Sequence, residues 1–456
     1  MANLSTAPPP GSAEELRQFR RLQRRLPTMY ARIFNDRQIP RTVVVVPSLS
    51  LDQEVLAKVS GIHFYEERLL CLLMLLQLPR TRVVYITSQP IHPAIIDYYL
   101  SLLPGVPGDH ARRRLTLINC HDGGARALTE KILARPRLVQ RIRAGIRNPE
   151  SAHLTCFNAT PLERTLAVRL NIPLYACDPG LAGLGSKSEG RKLFRTAGIP
   201  IPSGEEDLRT PADIARALAN LKQMNPDLKR AVVKLDDGFS GEGNAIFSFE
   251  ATDEDEYRIE MTAHSIEQAL PHRLRFEAAS ERWDRYKTKF AEMGGIVEAF
   301  IEGDRKRSPS VQCRIDPMGD VEVLSTHDQL LGGPFGQVFL GCTFPADVAY
   351  RTEISEMGRR VGELLRDRGA LGRFSIDFVS VLDEDCWRHY AIEINLRMGG
   401  TTQPYLMLQF LNGVGYDVGS GLFRTTAGTP PYSYATDNLH HTNYARLTPD
   451  DLIDIA

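Results

Sequence analysis

Apolar positions recur with two different periods along this chain. In "RHYAIEINLRMGG" (Arg388 to Gly400) they alternate, with Tyr390, Ile392 and Ile394 on one parity and Ala391, Glu393 and Asn395 on the other. A period of two predicts a half-buried strand. "GRFSIDFVSV" (Gly372 to Val381) does the same, setting Phe374, Ile376 and Phe378 against Asp377, and the acidic run "LDEDC" between them reads as a turn. A hairpin folded about Asp385 puts Asp377 opposite Glu393 and Ile376 opposite Ile394, with every apolar side chain on one face. Glu and Asn are poor strand formers and costly to bury without partners. Facing residues of such a pair have Cβ atoms roughly 4.5–5.5 Å apart, where like charges repel. Two readings follow: a site of hard oxygen ligands suited to Mg²⁺, or an exposed acidic face paired with nearby arginines.

Upstream the pattern changes. "TVVVVPSLSLD", "RVVYITSQP", "RLTLINC", "HLTCFNA" and "IPLYACDP" are short β-branched runs separated by helical stretches. They predict a parallel sheet with helices on its faces, a Rossmann-like layout over residues 40–185. "LLCLLMLLQL" (Leu69 to Leu78) is too short to span a bilayer and reads as a buried helix. In "RAVVKLDDGFSGEGNAIFSFE" two strands flank a loop with Gly238, Gly241 and Gly243, and Lys234 ends the first strand. Such glycines let backbone N–H groups approach phosphate oxygens beside a fixed cation; the plainer reading is a flexible hairpin with a surface lysine. Residues 250–292 are charged and helical, expected to form an insertion or lid. "GGIVEAFIEG", "SVQCRID", "DVEVLSTHDQLL" and "GQVFLGCTFP" predict further antiparallel strands, and "EISEMGRRVGELLRDRG" a helix leading into the hairpin.

Composition narrows the function classes. Of 456 residues, 43% are hydrophobic and 24% charged, with a net charge of −1, which points to neither nucleic acid nor a membrane surface as partner. Seven cysteines, never spaced as CxxC, suggest a reduced, cytoplasmic protein without structural zinc. "MANLSTAPPPGSAEEL" has no signal-peptide character, and residues 1–12 read as disordered. The arginine-rich "EELRQFRRLQRRL" reads as a solvated helix face. "GLAGLGSKS" (Gly180 to Ser188) nearly matches a P-loop, but Ser186 intrudes before Lys187, so a glycine-rich linker into the next helix is the better reading. The stretch from His327 to Gly333, together with His440 and His441, supplies substrate-side candidates, although a core or surface histidine is the commoner case.

Taken in order, these pieces resemble the ATP-grasp superfamily over roughly residues 185–410, and more narrowly the pheganomycin-type peptide ligases, whose resemblance extends to "VVVVPSLSLD", "YEERLL" and "RVVYITSQP". The resemblance implies an N-terminal tail and helix (1–39), a Rossmann-like pre-ATP-grasp domain (40–185), an ATP-grasp domain (186–425) of α+β subdomains with antiparallel sheets, and a C-terminal segment (426–456) that begins a further domain. By the same resemblance Lys187, Arg191 and Lys234 contact ATP phosphates, and the loop Gly238, Phe239, Ser240, Gly241 to Gly243 closes over them. Glu298, Ala299, Phe300 and Ile301 form the adenine hinge. Asp304 or Glu302 meets the ribose, since Arg305 stands where some ligases carry glutamate. Asp377, Glu393 and Asn395 match magnesium ligands, and Arg397 meets the transferred phosphoryl group or acyl intermediate. The implied activity is an ATP-dependent carboxylate–amine ligase acting on amino acids or peptides through an acyl phosphate, as a possible homodimer. Biotin-carboxylase-like activation of bicarbonate and a non-catalytic nucleotide-binding role are the alternatives.

Overall fold

The structure is a computed structural model that describes residues 7–51, 56, 61–238, 243–250, 261–412, 415–423, 431–436 and 439–455. Arg41–Val46 (β1) is a valine run without polar alternation, as befits a strand covered on both faces. It pairs in parallel with Thr81–Thr87 (β2) and Ala152–Cys156 (β4), and β2 pairs with Leu115–Asn119 (β3), giving the order β3-β2-β1-β4. Val43 and Val45 pack with Leu69, Leu73 and Leu76 on one side, whereas Val44 and Val46 pack with Ile132, Val139 and Leu166 on the other. The run expected as a fifth strand, "IPLYACDP", contributes only a single bridge between Leu174 and Leu154. The Gln23 side chain occupies both backbone groups of Leu174, accepting from its N–H at 2.8 Å and donating to its carbonyl at 2.9 Å.

The Leu69–Leu78 stretch is buried as expected, but within a 3₁₀ helix, Ile62–Gln77. Of the residues 1–12 expected to be disordered, 1–6 lie outside the described residues, and 7–12 are more ordered than their composition suggests. Ser12 accepts from Glu15 N–H to cap helix Ala13–Gln23, and residues 7–12 lead into it. Buried Glu15 in turn accepts from Thr165 Oγ1 at 2.7 Å. Among the described residues no helix is long and apolar enough to cross a membrane.

A second, antiparallel sheet contains Gly204–Leu208 (β5), Arg230–Leu235 (β6), Asn244–Ser248 (β7), Leu274–Phe276 (β8) and Gly295–Ala299 (β9), in the order β5-β9-β6-β7-β8. Helices Ala263–Arg273 and Trp283–Met293 bury Ile266, Leu270, Tyr286 and Phe290 against it. The described part of the 250–292 stretch is therefore a wall of this sheet, with β8 as its edge, and not an appended insertion.

The third sheet comprises Lys306–Arg307 (β10), Pro309–Ile315 (β11), Val321–Gly332 (β12), Val338–Phe344 (β13), Gly372–Asp383 (β14) and Cys386–Asn395 (β15), with Ser433–Thr436 as its last strand. β15 lies on one side of β14; β10 and β11 lie on the other, followed by β12, β13 and the last strand. Helices Lys187–Thr196 and Arg351–Asp367 cover one face, where Phe194, Ile354 and Val361 pack with Phe374, Ile376 and Ile394. The other face looks onto a cavity shared with the second sheet.

The β14–β15 register confirms the pairing that matters and corrects its neighbours. Asp377 pairs with Glu393 and Ile376 with Ile394, as the alternation predicts. Nearer the turn the partners differ by one, with Phe378 opposite Ala391 and Asp383 opposite Cys386. A bulge at Ile392 absorbs the extra residue, because the chain reverses over Glu384 and Asp385, with Glu384 at φ +52°. Ala391 thus joins the core, and Ile392, expected there, lines the cavity.

His327 is also a core residue. It is fully buried, bonded to Ser325 Oγ at 2.9 Å and Gln312 Nε2 at 3.3 Å, and burial pushes its pKa down to about 3. His153, half-buried on β4, is also lowered by desolvation, to about 4. Unfolding would release both to ordinary imidazole behaviour near 6.5, so the unfolded chain binds more protons in this range. Their contribution to stability is complete above pH about 6.5 and is lost as pH falls towards 3. Chemical denaturation between pH 7.5 and 4.5 should show stability falling, and the fall should be shallower in His153→Gln. His440 and His441 are exposed near the C-terminus, outside the cavity lining.

Candidate active site

A cavity of about 490 Å³ opens between the second and third sheets. Three of its walls come from segments the sequence singles out. Lys187 starts helix Lys187–Thr196, whose N-terminus is capped by Ser186 Oγ, accepting from Glu189 N–H at 3.2 Å. The preceding glycine-rich stretch is a 3₁₀ turn, Pro179–Gly185, as a linker reading requires. Asp236, just past β6, accepts from Ser188 N–H at 2.8 Å through its side chain and from Lys187 N–H at 3.1 Å through its carbonyl. The helix start and the root of the glycine loop are thereby fastened together. Gly238 and Gly243 bracket that loop. Gly243, at φ +91°, adopts a backbone that L side chains rarely take, and its carbonyl accepts from Leu235 N–H at 2.9 Å. Phe239, Ser240 and Gly241 lie outside the described residues.

Lys187 Nζ lies 3.3 Å from Glu393 Oε1. Asp377 Oδ2 accepts from Asn395 Nδ2 at 2.9 Å and Asp377 Oδ1 from Gln329 Nε2 at 3.0 Å. Burial, and then the facing Glu393, push the Asp377 carboxyl up to about 6. Burial raises Glu393 too, but Lys187, Arg397 and Lys234 outweigh it and hold that carboxyl below its usual range. The pair is therefore unequal: one carboxylate is compensated by cations, and the other is held mainly by neutral donors. Arg397 lines the same cavity directly after β15.

Lys234 is buried at the end of β6 and forms a close ion pair with Glu298. The other oxygen of Glu298 accepts from Arg191 Nη1 at 3.0 Å, and Arg191 Nε reaches Glu206 at 3.1 Å. This corrects the expectation for Arg191. It shares the Lys187 helix but is only 2% exposed and absent from the cavity lining, tied instead to two glutamates and the Pro202 carbonyl. Glu298 likewise spends its carboxylate on cations. Ala299, Phe300 and Ile301 line the cavity beyond it. Phe300 lies between the Arg230 guanidinium, 4.0 Å from its ring centroid, and Lys306 Nζ at 4.5 Å. The ribose candidates do not reach the lining. Glu302 forms a two-pronged pair with Arg230 at 2.9 and 2.7 Å, and Asp304 is exposed.

Sequence reasoning missed Ser310, which bonds Asp377, along with Lys306, Tyr65, Arg68 and Phe157 in the lining, and it placed Gln329 only in a substrate-side stretch without its bond to Asp377. Gln329 and Ser310 sit on β12 and β11, so only the sheet order reveals them. A clue existed for Lys306, a lysine three residues past the "FIEG" run that ends at Gly303.

The family model described as IQCH-like, ATP-grasp matches residues 181–268 and 252–415. The L-propargylglycine–L-glutamate ligase of Streptantibioticus cattleyicolor is 31% identical over 91% of this chain and 83% of its own. IQ motif-containing protein H of Danio rerio is 26% identical over 88% of this chain and 42% of its own. Among solved structures, the biotin carboxylase domain of Hydrogenobacter thermophilus 2-oxoglutarate carboxylase superposes with a TM-score of 0.51 at 14% identity, covering 87% of this chain and 74% of that one. Campylobacter jejuni biotin carboxylase gives 0.50 at 14% identity, covering 83% and 69%. These two likenesses speak to the fold alone. The chain belongs to the IQCH-like ATP-grasp family. Within it, this is an ATP-dependent ligase of the kind that forms carbon–nitrogen bonds, related to the pheganomycin-type peptide ligases.

Proposed function

We propose that this ligase joins two amino acids, or an amino acid and a peptide, by activating a carboxylate as an acyl phosphate at the Asp377–Glu393 end of the cavity. One observation carries the reading: Asp377 and Glu393 face each other in register, with Asn395 bonded to Asp377, inside the cavity that Lys187, Lys234, Arg397 and the 299–301 hinge also line. The name of the Streptantibioticus relative supports amino acids on both sides of the new bond.

The donor set fits a hard divalent cation. Two carboxylates with an amide oxygen suit Mg²⁺, which keeps part of its shell for water and phosphate. Asp377, Glu393 and Asn395 would hold it, and a cation bound there neutralises phosphate charge and orients the γ-phosphoryl group. Lys187 and Lys234 flank the phosphate path with positive charge. Arg397 stands where charge builds on the transferring phosphoryl. Phosphoryl transfer asks a protein mainly for such positioning and charge neutralisation, and no protein nucleophile is required. The substrate carboxylate oxygen attacks the γ-phosphorus and ADP leaves. An amine then attacks the acyl carbon, expelling inorganic phosphate.

With ATP, Mg²⁺ and mixed amino acids, the protein should release ADP and phosphate, and hydroxylamine should trap the activated acid as its hydroxamate. AMP and pyrophosphate as products would reject the acyl-phosphate route.

A further inference from the structure

The parallel-sheet domain also reaches the cavity. Helix Ile62–Gln77 brings Tyr65 and Arg68 into its lining, beside Phe157 from the end of β4. The Phe157 carbonyl accepts from Met398 N–H at 3.0 Å, and helix Ile62–Gln77 packs on helix Thr402–Asn412. These residues therefore stand at the end of the cavity that carries Arg397 and the 399–401 turn. The features matched to the nucleotide come from the other two sheets and from helix Lys187–Thr196.

Arg68 is well supported from below and beside. Its guanidinium carbon lies 3.8 Å from the Tyr65 ring centroid, a stack that fixes the plane of the group. Its neighbour Glu66 anchors the helix to the parallel sheet. Glu66 accepts from Ser88 Oγ at 2.6 Å and from Ser88 N–H, and Lys131 Nζ donates to the same Ser88 oxygen at 2.8 Å. Tyr85 OH donates to the Glu66 carbonyl at 2.5 Å. A helix pinned so firmly next to an open cavity can hold a side chain in one place for a ligand.

We propose that Arg68, held flat by Tyr65, binds the free carboxylate of the amino acid that donates its amine, so that the parallel-sheet domain reads this substrate's acid group. The inference rests on the ligase reading above. An amino acid that gives its amine to a new amide keeps its own carboxylate, and that group must lie beyond the phosphoryl-transfer centre, at the Arg397 end. A guanidinium meets a carboxylate through two parallel N–H···O bonds, a geometry that lysine cannot copy.

The test uses the full chain with ATP and Mg²⁺, reading ADP release. Each of the twenty L-amino acids serves as donor acid, and each is offered as amine both as the free acid and as its carboxamide. The wild type should prefer the free acid over the carboxamide by about 10- to 100-fold in kcat/KM, the range of a charge-assisted pair. In Arg68→Met that preference should shrink to within about threefold, through a raised KM for the amine, with the KM for ATP unchanged. Arg68→Lys should fall between the two. Full preference retained in Arg68→Met, or a lowered kcat with KM for the amine unchanged, overturns the assignment. Thermal melting of each variant separates misfolding from lost recognition. Wild-type protein that releases no ADP with any pair would instead remove the ligase reading itself.

Discussion

Asp377→Asn should lower ligase turnover by at least about 100-fold while leaving the melting temperature unchanged or slightly higher. The loss follows from the site's charge arithmetic. Removing one preorganised electrostatic partner from a developing charge typically costs about 10²–10³ in kcat, and here the partner would also be one of only two anionic ligands for the ion. The stability expectation runs the other way. Asp377 faces Glu393 in register in a desolvated place, so at neutral pH the folded chain confines two like charges. The amide removes that repulsion and, with Asn395 turned over, keeps bonds to Gln329 and Asn395. Turnover within threefold of wild type, measured by coupled ADP release at saturating Mg²⁺, would remove the metal assignment. A large fall in melting temperature would mean that the pair is a structural device.

Glu298→Ala should be the most destabilising single change at the site. Glu298 is 2% exposed and compensates both Lys234 and Arg191, which are themselves 5% and 2% exposed. Truncation strips buried Lys234 of this carboxylate and leaves Arg191 with Glu206 alone, and breaking a buried pair costs roughly 3–5 kcal/mol. Urea denaturation should show the midpoint falling with little change in the slope. Glu298→Gln, which keeps a hydrogen-bond acceptor, should lose less. The effect on activity is separable. Arg191 does not line the cavity, so Arg191→Met should act on stability and on the placement of Lys234, with no direct loss of a phosphate contact.

How much was legible in the sequence depends on where each constraint lives. Strict alternation on β14 and β15 gave the Asp377–Glu393 opposition, because a strand's side-chain period ties register to burial. The same logic failed two residues away at Ile392, since the alternation assumes an unbroken ladder and carries no mark of a bulge. Valine runs announced the parallel sheet, but they could not tell a paired strand from the stretch at Leu174, whose backbone is occupied by Gln23 from a distant helix. Arg191 shows a different limit. Helical spacing places it on the same helix as Lys187, yet which partner a cation faces depends on Glu298 and Glu206, supplied by strands remote in sequence. Tyr65 and Arg68 carry part of the family likeness in the sequence but no role, because their link to the cavity exists only after the parallel sheet is folded against the third sheet.

The odd residue in β15 has a consequence of its own. A regular ladder would send Ile392 and Glu393 to opposite sides, but the bulge turns both into the cavity, hydrocarbon next to carboxylate. A chain shortened by Ile392 could still set its glutamate against Asp377 and keep Ile394 in the core. It would have lost the greasy floor tile beside the charge. One surplus peptide unit thus lets a single short segment offer water-shunning and ion-seeking surfaces to the same guest.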